Sequence, residues 1–139
     1  MAVLDVKPLV MKNVELLLGS GTPDDFRKHV DQVTLTPSSS AITWTGLGGN
    51  TVSDVATATW TAVLDYAQDW SSTTSLSQYL HAHEGEHVEV VFAPEDGGPT
   101  FEGVVIITPG AIGGAVNSVA TTSVTLGMEG KPTLVPVTP

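Results

Sequence analysis

Residues 56–66 read Ala56-Thr57-Ala58-Thr59-Trp60-Thr61-Ala62-Val63-Leu64-Asp65-Tyr66. Ala58, Trp60, Ala62, Leu64 and Tyr66 fall on one side of an extended chain. Thr57, Thr59, Thr61 and Asp65 fall on the other, with Val63 among them. Alternation with a period of two is the mark of a half-buried strand. A slip of one residue would exchange the two faces, so the pattern fixes the strand's register.

The same alternation recurs on both sides of this stretch. Val14, Leu16 and Leu18 alternate with Asn13, Glu15 and Leu17. Val33 and Leu35 alternate with Thr34 and Thr36, and Ile42 and Trp44 with Thr43 and Thr45. Further on, Val88, Val90 and Phe92 alternate with His87 and Glu89. Thr122, Val124, Leu126 and Met128 alternate with Thr121, Ser123 and Thr125. Residues 101–108 (FEGVVIIT) are more uniformly apolar and read as a strand covered on both faces. Glycine and proline fall between the runs, at Pro23, Pro37, Gly48-Gly49, Pro94, Gly97-Gly98-Pro99, Pro109-Gly110, Gly113-Gly114 and Gly130. Many short strands with such punctuation predict a mainly β, antiparallel sandwich or barrel.

One helix interrupts the strands, over residues 75–84. Ser75 opens a capping-box pattern with Gln78 at the reciprocal position. Leu76, Tyr79 and Leu80 share a face, and Gly85 stands where a left-handed C-terminal cap is expected. So short a helix must pack its apolar stripe on a sheet. Residues 19–28 and 46–56 read as exposed loops. Residues 1–12 and 132–139 read as terminal arms whose Val, Leu and Met content predicts docking on a neighbour. Trp44 and Trp60 read as core residues, and Trp70 as a partner of the helix.

Length and composition narrow the function. The 139 residues suit a single domain. With no cysteine there is no disulfide framework, thiolate metal site or cysteine nucleophile. Fifteen acids against five Lys and Arg give a formal net charge of −10. Such a surface repels phosphate backbones, and only Arg27 and Lys28 are adjacent cations, which argues against sequence-specific nucleic-acid binding. The N-terminal stretch contains no signal-peptide apolar core, and no run is long enough to span a bilayer as a helix. The expectation is a soluble, cytosolically made protein with no membrane partner.

Chemistry-bearing motifs are few. His83-Glu84-Gly85-Glu86-His87 matches H-E-x-x-H, whose zinc chemistry needs both imidazoles on one helical face. Gly85 and the strand pattern from His87 place the helix end inside the motif, so a solvated corner is the expected reading. Asp24-Asp25, Glu84 with Glu86, and Glu95-Asp96 read as turn or cap acids rather than calcium or glycosidase pairs. No G-x-S-x-G occurs, and GLGGN and PGAIGG lack the spacing and Lys of a phosphate loop. No catalytic residue, cofactor or metal site is predicted, and the chain reads as a non-enzyme.

The stretch TFEGVVIITPGAIGGAVNSVATTSVTLGMEGKPTLVP, residues 100–136, resembles the end of siphophage major tail proteins, the phage tail tube family. The resemblance rests on Phe101 and Gly103, the Pro109-Gly110 turn, the strand at Ser123 and Val124, and Gly130-Lys131-Pro132. Upstream, the order of arm, strands, loop, Trp-bearing strand and helix fits loosely. The resemblance implies a β-sandwich with one flanking helix that forms sixfold rings, whose inner sheets join into a barrel. Stacked rings would make the tail tube of a virion, through which genomic DNA passes without specific binding. Tape measure and tail terminator proteins would be further partners, and host cytoplasm the site before assembly. Candidate lumen-facing acids are Asp65, Glu89 and Glu102. The competing readings are a capsid decoration protein, an Ig-like adhesion domain, and a zinc hydrolase at residues 83–87.

Overall fold

The alternation of residues 56–66 is realised in a computed structural model that describes residues 2–19, 23–95 and 97–137. Strand β6, Thr59–Ala67, buries Ala62, Leu64 and Tyr66 on one face. It is flanked antiparallel by β3, Val30–Ser38, and by β9, Thr121–Met128. The apolar positions line up across the three strands. Val33 pairs with Leu64 and Leu64 with Val124, while Leu35 pairs with Ala62 and Ala62 with Leu126. Each row is a cross-strand contact of the kind that stabilises a sheet.

A second group completes the sheet. It comprises β1, Glu15–Leu18; β2, Asp24–Asp25; β7, His87–Ala93; β8, Thr100–Ile106; and β10, Thr133–Val135. The strand order is β2-β1-β7-β8-β9-β6-β3, with β10 also paired to β8, and all pairings are antiparallel. Leu16, Phe92 and Phe101 form one lateral row, and Leu18, Val90 and Gly103 another. Between β8 and β9 only Val105–Met128 and Ile106–Gly127 pair. This narrow joint lets the two groups fold over one another. Leu16, Leu18, Val88, Val90, Phe92 and Val105 from one group therefore share a core with Val33, Leu64, Tyr66, Val124 and Leu126 from the other. The barrel does not close among the described residues.

The chain after β9 passes close over β8 at Gly103, where a Cβ would lie 2.9 Å from the mobile end of Met128 and 3.7 Å from Pro132 Cα.

Helix α1, Leu76–Ala82, plugs the core with Leu76 and Leu80. Ser75 caps it by accepting the Gln78 N–H. The predicted reciprocal bond is not made. The Gln78 side chain donates instead to the Trp70 carbonyl at 2.6 Å, and the Ser75 N–H donates to the Ser72 carbonyl. After the helix, Gly85 takes a φ of +84°, and its N–H donates to the Ile107 carbonyl, passing the chain back to the sheet.

Four readings are corrected. Residues 46–56 are not wholly a loop, because Thr51–Val55 is a strand, β5. It pairs with β4, Ala41–Thr45, as a hairpin separate from the main sheet. Trp44 lies on that hairpin and is 62% exposed, not core. Its period-two pattern is real, but nothing among the described residues covers that face. Within residues 19–28, Asp24-Asp25 pair with β1 and Phe26 is fully buried in the core. Residues 20–22 lie outside the described residues. Residues 101–108 alternate as well: Val105 and Ile107 are buried, while Val104 and Ile106 are half-buried.

Candidate assembly surfaces

The H-E-x-x-H residues are not assembled on one helix. His83 is the helix C-cap and His87 opens β7. His83 Nδ1 meets Glu86 Oε2 at 2.7 Å, and His87 Nδ1 meets Glu129 Oε1 across to the end of β9. Both pairs are exposed. Among the described residues no three His, Cys, Asp or Glu side chains converge as a metal site. Asp24 and Asp25 form the short edge strand, and Asp25 Oδ2 accepts from Arg27 Nε at 2.8 Å. Glu95 accepts the Gly98 N–H in a turn, whereas Asp96 lies outside the described residues. No helix of the described residues is long and apolar enough to cross a membrane.

What the fold does present is unpaired and apolar surface. In β4 and β5 every residue is exposed. Ile42, Trp44 and Val52 share one face, since Trp44 pairs with Val52 and Ile42 with Asp54. Thr43, Thr45, Thr51 and Ser53 share the other. Leu47 stands fully exposed at the tip, in a turn closed by Gly46 N–H to the Asn50 carbonyl. Apolar side chains gathered on a projecting element mark a contact surface.

The ends of the chain repeat the theme. Residues 2–12 form no strand or helix, and Val3, Leu4 and Val6 are almost fully exposed. Leu9 and Met11 border an open apolar groove of about 880 Å³. Leu35, Trp60, Phe92, Phe101 and Leu134 also line it. The predicted arm at residues 132–139 is partly tied down, because Thr133–Val135 is β10 and pairs with β8. Trp60 is therefore half-buried at the groove, and Trp70 packs edge-on against His81 of α1 with ring centroids 6.0 Å apart.

The sheet also has open edges. Strand β3 is terminal along its nine residues. Strand β9 meets β8 only at Gly127 and Met128, so residues 121–125 have no strand partner on that side among the described residues. The three acids singled out from the sequence all project away from the core, but not together. Asp65 lies on β6, paired with Ser123 and Gln32. Glu89 lies on β7 and Glu102 on β8, in the other group of strands.

This architecture has a solved counterpart. A chain in the tail of an empty GTA particle, from a structure computed with helical refinement and C6 symmetry, superposes with a TM-score of 0.62. The match covers 86% of this chain and 95% of that one, at 16% sequence identity. The two chains share a fold. No family model matches the sequence, and no curated protein does. The signal for the exposed hairpin was present in the sequence only in part, in the alternation of Ile42 and Trp44 with Thr43 and Thr45, because in residues 51–55 Asp54 interrupts the face that Val52 begins. Period alone does not say whether the chain itself supplies the cover.

Proposed function

We propose that this chain is a non-enzymatic structural subunit of a siphophage-type tail tube. Six copies form a ring, rings stack, and the resulting conduit carries genomic DNA during ejection without binding it specifically. The virion tail is its location, after synthesis in the host cytoplasm, and the tape measure and tail terminator are its further partners.

The observation that carries the reading is the shared fold with a C6-symmetric tail chain over nearly the full length of both. Physical features of this chain support it. A ring needs a heterologous contact between two different surfaces, and stacking needs another. Open strand edges, an apolar hairpin and an apolar arm are unfavourable in an isolated subunit. Each is relieved when a neighbouring copy pairs with the edge or covers the face.

Electron microscopy of the purified full-length protein at high concentration tests the reading. Six-membered rings or tubes are the expected result. A protein that stays monomeric by analytical ultracentrifugation, with no annular or tubular particles, overturns it.

A further inference from the structure

The core-distal faces of the two strand groups differ in chemistry. Across β3, β6 and β9 the outward rows are Gln32–Asp65–Ser123, Thr34–Val63–Thr125 and Thr36–Thr61–Gly127, with Ser38–Thr59 beyond. Every one of these side chains leaves the core face to Val33, Leu64 and their neighbours. The surface is almost entirely hydroxyl and amide. The three strands carry no Lys or Arg, and their acids are Asp65 and, at the bulge opposite it, Asp31; Lys12, Arg27 and Lys28 border Gln32 at that end.

The outward face of β1, β7 and β8 is unlike it. Leu17 pairs with Val91, Val91 with Glu102, Glu89 with Val104 and His87 with Ile106. Leu17, Val91, Val104 and Ile106 are half-buried apolar side chains set among two acids and a histidine. Such a mixed face suits contact with protein.

The edges separate the groups further. The free edge of β3 and residues 121–125 of β9 bound the hydroxyl face on its two sides. Both strands are antiparallel to β6, so they run in the same direction. In a ring of identically oriented copies, β3 of one subunit set beside β9 of the next would pair with it in parallel. Six copies giving three strands each would close a barrel about 36 Å across between facing backbones, at the usual strand spacing and tilt. That width accommodates a DNA duplex within the side-chain layer.

Resting on the tail-tube reading, we infer that the hydroxyl face of β3, β6 and β9 lines the lumen. The conduit wall is then a largely neutral, hydrated threonine surface, with Asp65 and the neighbouring Asp31 as its acids at one end. Glu89 and Glu102 lie outside it. Strands without cations of their own give passing phosphates little to pair with along most of the wall, and phosphate pairing is what holds proteins on DNA. Threonine hydroxyls keep the wall wetted by water.

The absence of native cysteine allows a direct test in assembled tubes. Thr34→Cys and Thr125→Cys are labelled with a small maleimide and with a maleimide on a bulky polyethylene glycol chain. The expected result is that both sites react with both reagents before assembly. After assembly they keep the small reagent and lose the bulky one, which cannot travel down the bore. Glu89→Cys is the contrasting site, and its labelling does not depend on entry through the bore. Persistent labelling of Thr34→Cys and Thr125→Cys by the bulky reagent in intact tubes overturns the lumen assignment while leaving the tube standing. If neither variant nor the native chain forms rings or tubes, the tail-tube reading fails and this inference with it. If only the variants fail to assemble, Ser123→Cys on the same face supplies the same readout.

Discussion

Asp69 is the residue on which the turn between β6 and α1 is tied. Its carboxylate accepts the backbone N–H groups of Ser72 and Ser71, and this hydrogen bonding holds its pKa below the usual aspartate range. Its own N–H donates to Ser77 Oγ, and its carbonyl accepts from Ser75 Oγ, the helix cap. A carboxyl whose pKa is lower folded than unfolded adds stability above its unfolded pKa, and that stability is lost as pH falls through the folded value. Asp69→Ala is therefore expected to be less stable than the native chain at neutral pH. The difference should shrink on acidification below the ordinary aspartate range. Urea titrations of both proteins at several pH values check this, and a gap that stays constant down to acidic pH counts against it. The turn was legible only in part. Ser75 announced itself as a cap, but Asp69 carried no motif. Likewise Trp44 and Trp60 show the same alternation, and the structure buries one partly and leaves the other in solvent. Period reports that a face is apolar, and only the three-dimensional neighbours decide what meets it.

At the scale of elements, the strongly alternating strands were the most legible. Strands β6, β7 and β9 carry their core faces at the positions that the pattern assigned, because each has one solvated face to contrast with. Less readable was β2, two acidic residues whose only reason to be a strand is the unpaired edge of β1 beside them. Phe26 was missed for a similar reason: one aromatic in a polar run has no period. The β4–β5 hairpin is the element on which stability and assembly should separate. Its side chains contact no core, so Trp44→Ser and Leu47→Ser are expected to shift unfolding free energy by no more than about 0.5 kcal/mol, as for other exposed positions. Both should nevertheless reduce ring or tube formation sharply. Calorimetry paired with electron microscopy on the same samples reads the two effects. A hairpin variant that melts like the native chain and still forms tubes at the native yield removes the hairpin from the assembly surface.

For the whole molecule, charge sets the terms on which copies would meet in the proposed tube. Each carries a formal net charge of −10, with only five Lys and Arg to oppose fifteen acids. Arg27, half-exposed, already faces Asp25 and Glu15 of its own chain. Contacts between copies therefore cannot rest chiefly on opposite charges and must overcome net repulsion. Their favourable part is apolar burial and strand pairing, which added salt does not weaken in the way it weakens ion pairs. The repulsive part is screened, with a Debye length of about 10 Å at 0.1 M salt and about 3 Å at 1 M. Assembly should thus increase as sodium chloride rises over that range, with rings and tubes gaining at the expense of monomer. Sedimentation velocity across a salt series measures it. A decline in assembly with rising salt would mean that specific ion pairs between copies outweigh the collective repulsion.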